Sequence, residues 1–259
     1  MLYLQDKTAL KSFKETAEHL AAIAWAYSGR PITELPEVAK AVVDEAPDDA
    51  GKTRSAATIR NRLACLKAAC RWAWKKHALT EHDPTGRMQL PAVKNARHVY
   101  LMRRDMLRLA RASTKHSVRV AIRTAFYTGL RLGELYRVRP EDGMLHLDDT
   151  KNGTRRSVPA HSRIKTCLPY LPLTIPQKTL QREIEIARAA AKLDHVHFHD
   201  LRHSAASEMV NAGVDLFTVG IVLGHKDPRS TARYSHLTAH TLADAVGRIG
   251  QKSPHTGKT

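Results

Sequence analysis

The chain has 259 residues, 42% of them apolar, with a formal net charge of +17 and a pI near 10.1. That length suits one large domain or two ordinary ones, and no run approaches the roughly eighteen apolar residues of a membrane span; "MLYLQDKTAL" also lacks the charged-then-apolar order of a secretory signal. A charge excess of this size opposes a compact chain unless an anion offsets it, which points first to nucleic acid and second to an acidic membrane surface.

In chain order, Asp6 is placed to cap a helix whose apolar residues Leu10, Phe13, Ala17, Leu20 and Ala24 keep helical spacing as far as Gly29. Pro36 suits the first turn of a shorter helix carrying Val38 and Val42. Ser55 then caps a third helix, "AATIRNRLACLKAACRWAWKKH", with Ile59, Leu63, Leu66, Cys70 and Ala73 on one face and Arg60, Lys67 and Arg71 on another. The first 84 residues read as a small all-helical domain, and "EHDPTGRMQLPAVKNARH", with two prolines and a glycine, as the best linker. Beyond it, Val118, Ile122 and Phe126 form a helical stripe that stops at Gly129. "MLHLDDTKNGTRRSV" has strand-like runs around an Asn-Gly turn and predicts a β-hairpin. Residues 177–192 return to helix; Leu201, Ala205 and Met209 sit four apart before Gly213, Asp215 caps the next helix, which ends near Gly224, and Asp227-Pro228 opens another. Cys65, Cys70 and Cys167 form no CxxC pair and suit free thiols in a reducing cytoplasm.

No phosphate-cradling GxxxxGK[ST], no GxGxxG after a strand and no GxSxG is present. The eye-catching stretch is "HVHFHDLRHSAAS", with four histidines in nine positions. A metal site needs three or four ligands, but a helix entry near Asp200 divides His195 and His197 from His199 and His203, and a chain with 15 histidines clusters them cheaply. His199 and Arg202, three apart at a helix start, share a side. Such a start favours an anion, a guanidinium grips phosphate bidentately, and an imidazole moves protons near neutral pH. Taken singly, this pair is weak. So are Arg131 and Glu134 in "YTGLRLGEL", Lys151 at the hairpin turn, and His225 and Tyr234 in "LGHKDPRSTARYSH"; each fits an ordinary surface or half-buried residue.

Together, in order, these residues resemble the tyrosine recombinases of the phage-integrase type: Arg131, Lys151, His199-x-x-Arg202, and Leu-Gly-His225 followed nine residues later by Tyr234. The resemblance is strong over 97–240 and weaker over 1–90, where "TIRNRLACLKAACRWA" is similar to the family's core-DNA-binding domain. It implies a mainly α fold with a small β-sheet. A helical core-DNA-binding domain (1–84) and a linker (85–97) would precede an α+β catalytic domain of the DNA breaking–rejoining type (98–250) and a flexible tail (251–259), closing on DNA as a C-shaped clamp. By the same resemblance Tyr234 attacks phosphorus, Arg131 and Arg202 clamp the non-bridging oxygens, His225 adds a hydrogen bond, and Glu134 buttresses the arginines. His199 is then the base and Lys151 the acid. The product is a 3′-phosphotyrosyl enzyme, with no metal, ATP or other cofactor.

The implied partners are double-stranded DNA at core-type sites, copies of the same chain (a tetramer in synapsis), and accessory DNA-bending proteins, in the cytoplasm and off the membrane. Arg60, Lys67 and Arg71 either face DNA or form a solvated helix face. "TLADAVGRIG" is expected to dock on a neighbouring protomer. Many integrases carry an arm-binding domain ahead of the core-binding one; this chain starts on the helical domain, so a simpler recombinase or a shortened piece is expected. Prophage or mobile-element integration is the leading role and plasmid or chromosome dimer resolution the alternative. A type IB topoisomerase, a catalytically silent DNA-binding accessory protein and, furthest, a metal-dependent nuclease stand behind them.

Overall fold

The computed structural model describes residues 2–9, 12–45, 54–78, 80–93, 98–148 and 155–235. It divides into two compact units, Met1–Ala96 and Arg97–Thr259. Among the described residues, no helix is long and apolar enough to cross a membrane.

The first unit is helical: α1 Leu2–Asp6, α2 Phe13–Ala21, α3 Ala24–Tyr27, α4 Leu35–Glu45 and α5 Ala56–His77. The single helix expected from Asp6 to Gly29 is instead two short ones, α2 and α3, with α1 ahead of them. Asp6 ends α1 rather than capping α2, because its carboxylate is taken by α5: it accepts from Trp72 Nε1 at 2.9 Å and from Lys76 Nζ at 3.0 Å. Ser55 caps α5 as its sequence position predicts, accepting from the Thr58 N–H at 3.3 Å. Ile59, Leu63 and Leu66 on α5 are buried against Leu20, Ile23, Val38 and Val42, each side chain stabilising the unit by about 1.5–3 kcal/mol at most. Met88, within the stretch read as linker, is buried in this same core.

The second unit runs α6 Arg103–Ala112, α7 His116–Thr128, β1 Arg139–Glu141, β2 Met144–Leu147, β3 Arg156–Pro159, a 3₁₀ run Ser162–Tyr170, α8 Gln177–Ala190, α9 Phe198–Asn211, α10 Leu216–Leu223 and α11 Arg229–Ala232. The strands form one antiparallel sheet in the order β1-β2-β3, with Arg139 opposite His146 and Leu147 opposite Arg156. Leu145, Leu147 and Val158 point into the core, as strand alternation requires. The expected hairpin is β2–β3; its turn, with Lys151 and the Asn152-Gly153 signal, lies outside the described residues. The segment "TLADAVGRIG" and the tail at 251–259 lie outside them too.

The central helix is α7, with Val118, Ala121, Ile122, Ala125 and Phe126 buried. It stops at Gly129, where φ is +69° and an added Cβ would lie 2.4 Å from Leu223 Cδ2. Backbone conformation and packing both demand glycine there, and the chain leaves the helix on a path that delivers Arg131. Helix α9 is buried along most of its length, from Asp200 through Ser207.

Candidate active site

The helix ends of the second unit converge on Arg202. This residue sits one turn into α9 and is 2% exposed. Its Nη1 donates to the Gly129 carbonyl and its Nη2 to the Leu223 carbonyl, both at 2.6 Å. Those carbonyls close α7 and α10, where no further turn supplies an N–H and the helix dipoles are negative. Burial, with the Arg131 charge beside it, pushes Arg202 down to about 9, so it stays charged at neutral pH.

Glu134 organises the arginines. It ends the 3₁₀ turn Leu132–Glu134 and is 2% exposed. Its Oε1 accepts from Arg131 Nη1 and Arg156 Nη1, each at 3.0 Å. Its Oε2 accepts from the Arg131 backbone N–H at 2.8 Å and Arg156 Nη2 at 2.9 Å. Burial pushes the carboxyl up, but the Arg156 hydrogen bond, the Arg131 N–H and the two guanidinium charges outweigh it and hold Glu134 below its ordinary value. Because the folded pKa is lowered, the stabilisation is complete above the unfolded carboxylate value of about 4.3 and is lost as pH falls through the folded one. Glu134→Gln is therefore expected to lower the thermal midpoint at neutral pH and to lose less on acidification than the parent, as read by unfolding scans across pH.

His225 follows Gly224 at the end of α10. Its Nδ1 lies 2.7 Å from the Thr231 hydroxyl. Burial and the Arg202, Arg131 and Arg156 charges push it to about 4, so the ring is neutral. Burial and the same two arginines, Arg202 and Arg131, also hold His199 below its ordinary value. Its ring meets His203 edge-on, with centroids 4.8 Å apart.

Tyr234 is 1% exposed, among Ala206, Val210, Val219 and Leu223. Its hydroxyl lies 2.6 Å from His203 Nδ1. Burial pushes the phenol up to about 12, although Arg233 and Arg202 pull the other way, and burial pushes His203 down to about 4. That ordering leaves the proton on Tyr234. The hydroxyl is thus held in a closed, protonated arrangement.

Of the residues expected at the site, Arg131, Glu134, His199, His225 and Tyr234 are all brought within electrostatic reach of Arg202. Lys151 lies outside the described residues. Arg60, Lys67 and Arg71 have intrachain work in the first unit. Arg60 Nη1 donates to the Pro91 carbonyl at 2.7 Å, Lys67 Nζ to the Met88 carbonyl at 3.4 Å, and Arg71 Nε lies 3.3 Å from Asp83 Oδ2. They grip the chain that follows α5. Two residues of this cluster are not evident from sequence. His203 is visible there as a neighbour of Arg202, with nothing local to join it to Tyr234. Arg156 is one of two arginines in "TRRSV", with nothing local to choose between them.

Among the described residues, four guanidiniums (Arg131, Arg156, Arg202, Arg233) and two carboxyls (Glu134, Asp200) act on this cluster, two more cationic groups than acidic ones. Arg131, with its side chain 27% exposed, is more open to a ligand than Arg156 or Arg202. The arrangement suits an anion with several oxygens, beside a hydroxyl that can become a nucleophile.

Residues 173–241 match the phage integrase family. A shufflon-specific DNA recombinase of Escherichia coli is 28% identical over 220 residues, covering 78% of this chain and 57% of that protein. Tyrosine recombinase XerC of Staphylococcus carnosus is 27% identical, covering 48% of this chain and 50% of that protein. The chain thus spans about half the length of these curated relatives. The fold is similar to that of a lambda integrase(75–356) dimer bound to a COC′ core site, with a TM-score of 0.70 at 19% identity, covering 90% of this chain and 92% of that one. With its motifs in order on this mainly helical fold, the chain is similar to the tyrosine recombinases of the phage-integrase type.

Proposed function

We propose that the chain is a site-specific DNA recombinase that cleaves and rejoins duplex DNA through a 3′-phosphotyrosyl intermediate on Tyr234, in prophage or mobile-element integration and excision. The observation that carries this reading is the gathering of Arg131, Arg156 and Arg202 around one carboxylate, Glu134, next to a tyrosine hydroxyl and three imidazoles held below their ordinary values. A phosphodiester supplies the missing negative charge. Arg131 and Arg202 stabilise the charge that grows on its non-bridging oxygens, and His225 adds a hydrogen bond.

In the reaction, the Tyr234 hydroxyl leaves His203 and passes its proton to a base, for which neutral His199 is the candidate. The oxygen attacks phosphorus, the bond to the 5′ oxygen breaks, and that oxygen takes a proton from Lys151. One ester bond forms as one breaks, so rejoining runs the same steps backward without ATP. Dimer resolution would use the same chemistry at different sites. The similar lambda integrase is a dimer bound to a core site, which supports double-stranded DNA and further copies of this chain as partners, a tetramer when two sites are paired. With a net charge of +17, binding is expected to weaken steeply as salt rises.

The test is covalent capture. Nicked duplexes with a randomised core are incubated with the protein in chelator, and DNA attached through denaturing washes is sequenced. The expected result is a recurrent core sequence, captured without metal or ATP. Capture only with a divalent ion, or none at all, overturns the reading.

A further inference from the structure

Arg156 has no part in the chemistry above, yet it joins three parts of the site. It opens β3, and its side chain is 10% exposed. Both of its terminal nitrogens bind Glu134, one on each carboxylate oxygen, at 3.0 and 2.9 Å. Its Nε donates to the Val222 carbonyl at 3.3 Å. The α10 terminus closes against the same guanidinium: Gly224 has φ +65°, and a Cβ there would lie 2.7 Å from Arg156 Nη1. His225 is the next residue.

We propose that Arg156 is a positioning residue for phosphate cleavage, fixing Arg131 through Glu134 and His225 through the Val222–Gly224 turn; this rests on reading the site as a DNA-cleaving one. Three of its five N–H donors are committed to Glu134 and Val222, so it acts through its neighbours rather than on the phosphate. Glu134 has both oxygens shared between Arg131 and Arg156. Without Arg156 the carboxylate loses one of its two anchors, and its plane no longer dictates where the Arg131 fork points. A lysine carries the charge but not the planar fork, so it cannot span both Glu134 oxygens and the Val222 carbonyl together.

A substrate change separates positioning of the clamp from general damage. In a methylphosphonate, a methyl group replaces one non-bridging oxygen, and the scissile link carries no charge. The guanidinium clamp then matters less. Arg156→Met is expected to cut single-turnover cleavage of the captured phosphodiester duplex about 100-fold, with DNA affinity unchanged, and to cleave the methylphosphonate duplex close to the parent rate. Arg156→Lys, the safer variant for folding, is expected to lose less on the phosphodiester and to show the same selective recovery. Parent-like cleavage by both variants, or an equal loss on both substrates, overturns the inference. Failure of the parent to cleave either duplex overturns the reading of the site itself, and is seen separately in the parent lane.

Discussion

Tyr234→Phe is expected to remove the covalent DNA–protein complex, with a loss on the order of 10⁴-fold or more, because no other group can take over a nucleophile's bond. The ring should keep its place among Ala206, Val210, Val219 and Leu223. The cost to the fold is the contact with His203, whose Nδ1 lies 2.6 Å from the lost oxygen. Leaving a buried imidazole nitrogen without that partner costs about 1–3 kcal/mol. DNA affinity should hold, since the proposed phosphate contacts come from arginines. Gel-shift titration and a denaturing gel of the same mixture separate the two quantities. A surviving covalent band would move the nucleophile elsewhere.

Arg202→Met has the second large effect, and here stability and chemistry fall together. The methionine fills much of the space but donates nothing to the Gly129 and Leu223 carbonyls, each now 2.6 Å from a guanidinium nitrogen. Two helix C-termini lose their donors inside the protein, at a cost of about 2–4 kcal/mol. The same change removes the proposed transition-state charge partner, worth roughly 10²–10³-fold in cleavage. Urea unfolding and single-turnover cleavage below the transition midpoint measure the two parts. A variant as stable as the parent, or one cleaving at the parent rate, would mean that the two carbonyls and the phosphate are held by other groups.

What is legible in the sequence is local. Ser55, Gly129, Gly213, Asp215 and Gly224 mark helix ends through their own conformational preferences, and each stands at such an end in the structure. The stripe of Val118, Ile122 and Phe126 on α7 is likewise readable from spacing. Asp6 misleads because its carboxylate serves Trp72 and Lys76, which lie 66 and 70 residues away. Strand β1 is only three residues long and offers no run to detect. Its turn does leave a sign: Asp142-Gly143, with φ of +47° and +74°, is a hairpin dipeptide that the expectation of a single hairpin at β2–β3 overlooks.

At the site, the ordered motif residues are recognisable by resemblance, whereas the contacts that organise them are not. Arg156 meets Glu134 across 22 positions and Val222 across 66. His203 meets Tyr234 across 31. No spacing rule spans such distances; only the fold makes these residues neighbours. The four-histidine cluster is divided in the structure: His195 and His197 precede α9, while His199 and His203 lie within it, one turn apart.

The central claim is that Tyr234 becomes covalently joined to DNA. The direct measurement is to form the complex on the captured duplex in chelator, digest it with nuclease and trypsin, and locate the residual nucleotide by mass spectrometry. The predicted result is a phosphodiester-linked nucleotide on Tyr234, in the tryptic peptide that begins after Arg233. A nucleotide on any other residue, such as Ser230, Thr231 or Ser235, would contradict it, as would cleaved DNA with no adduct.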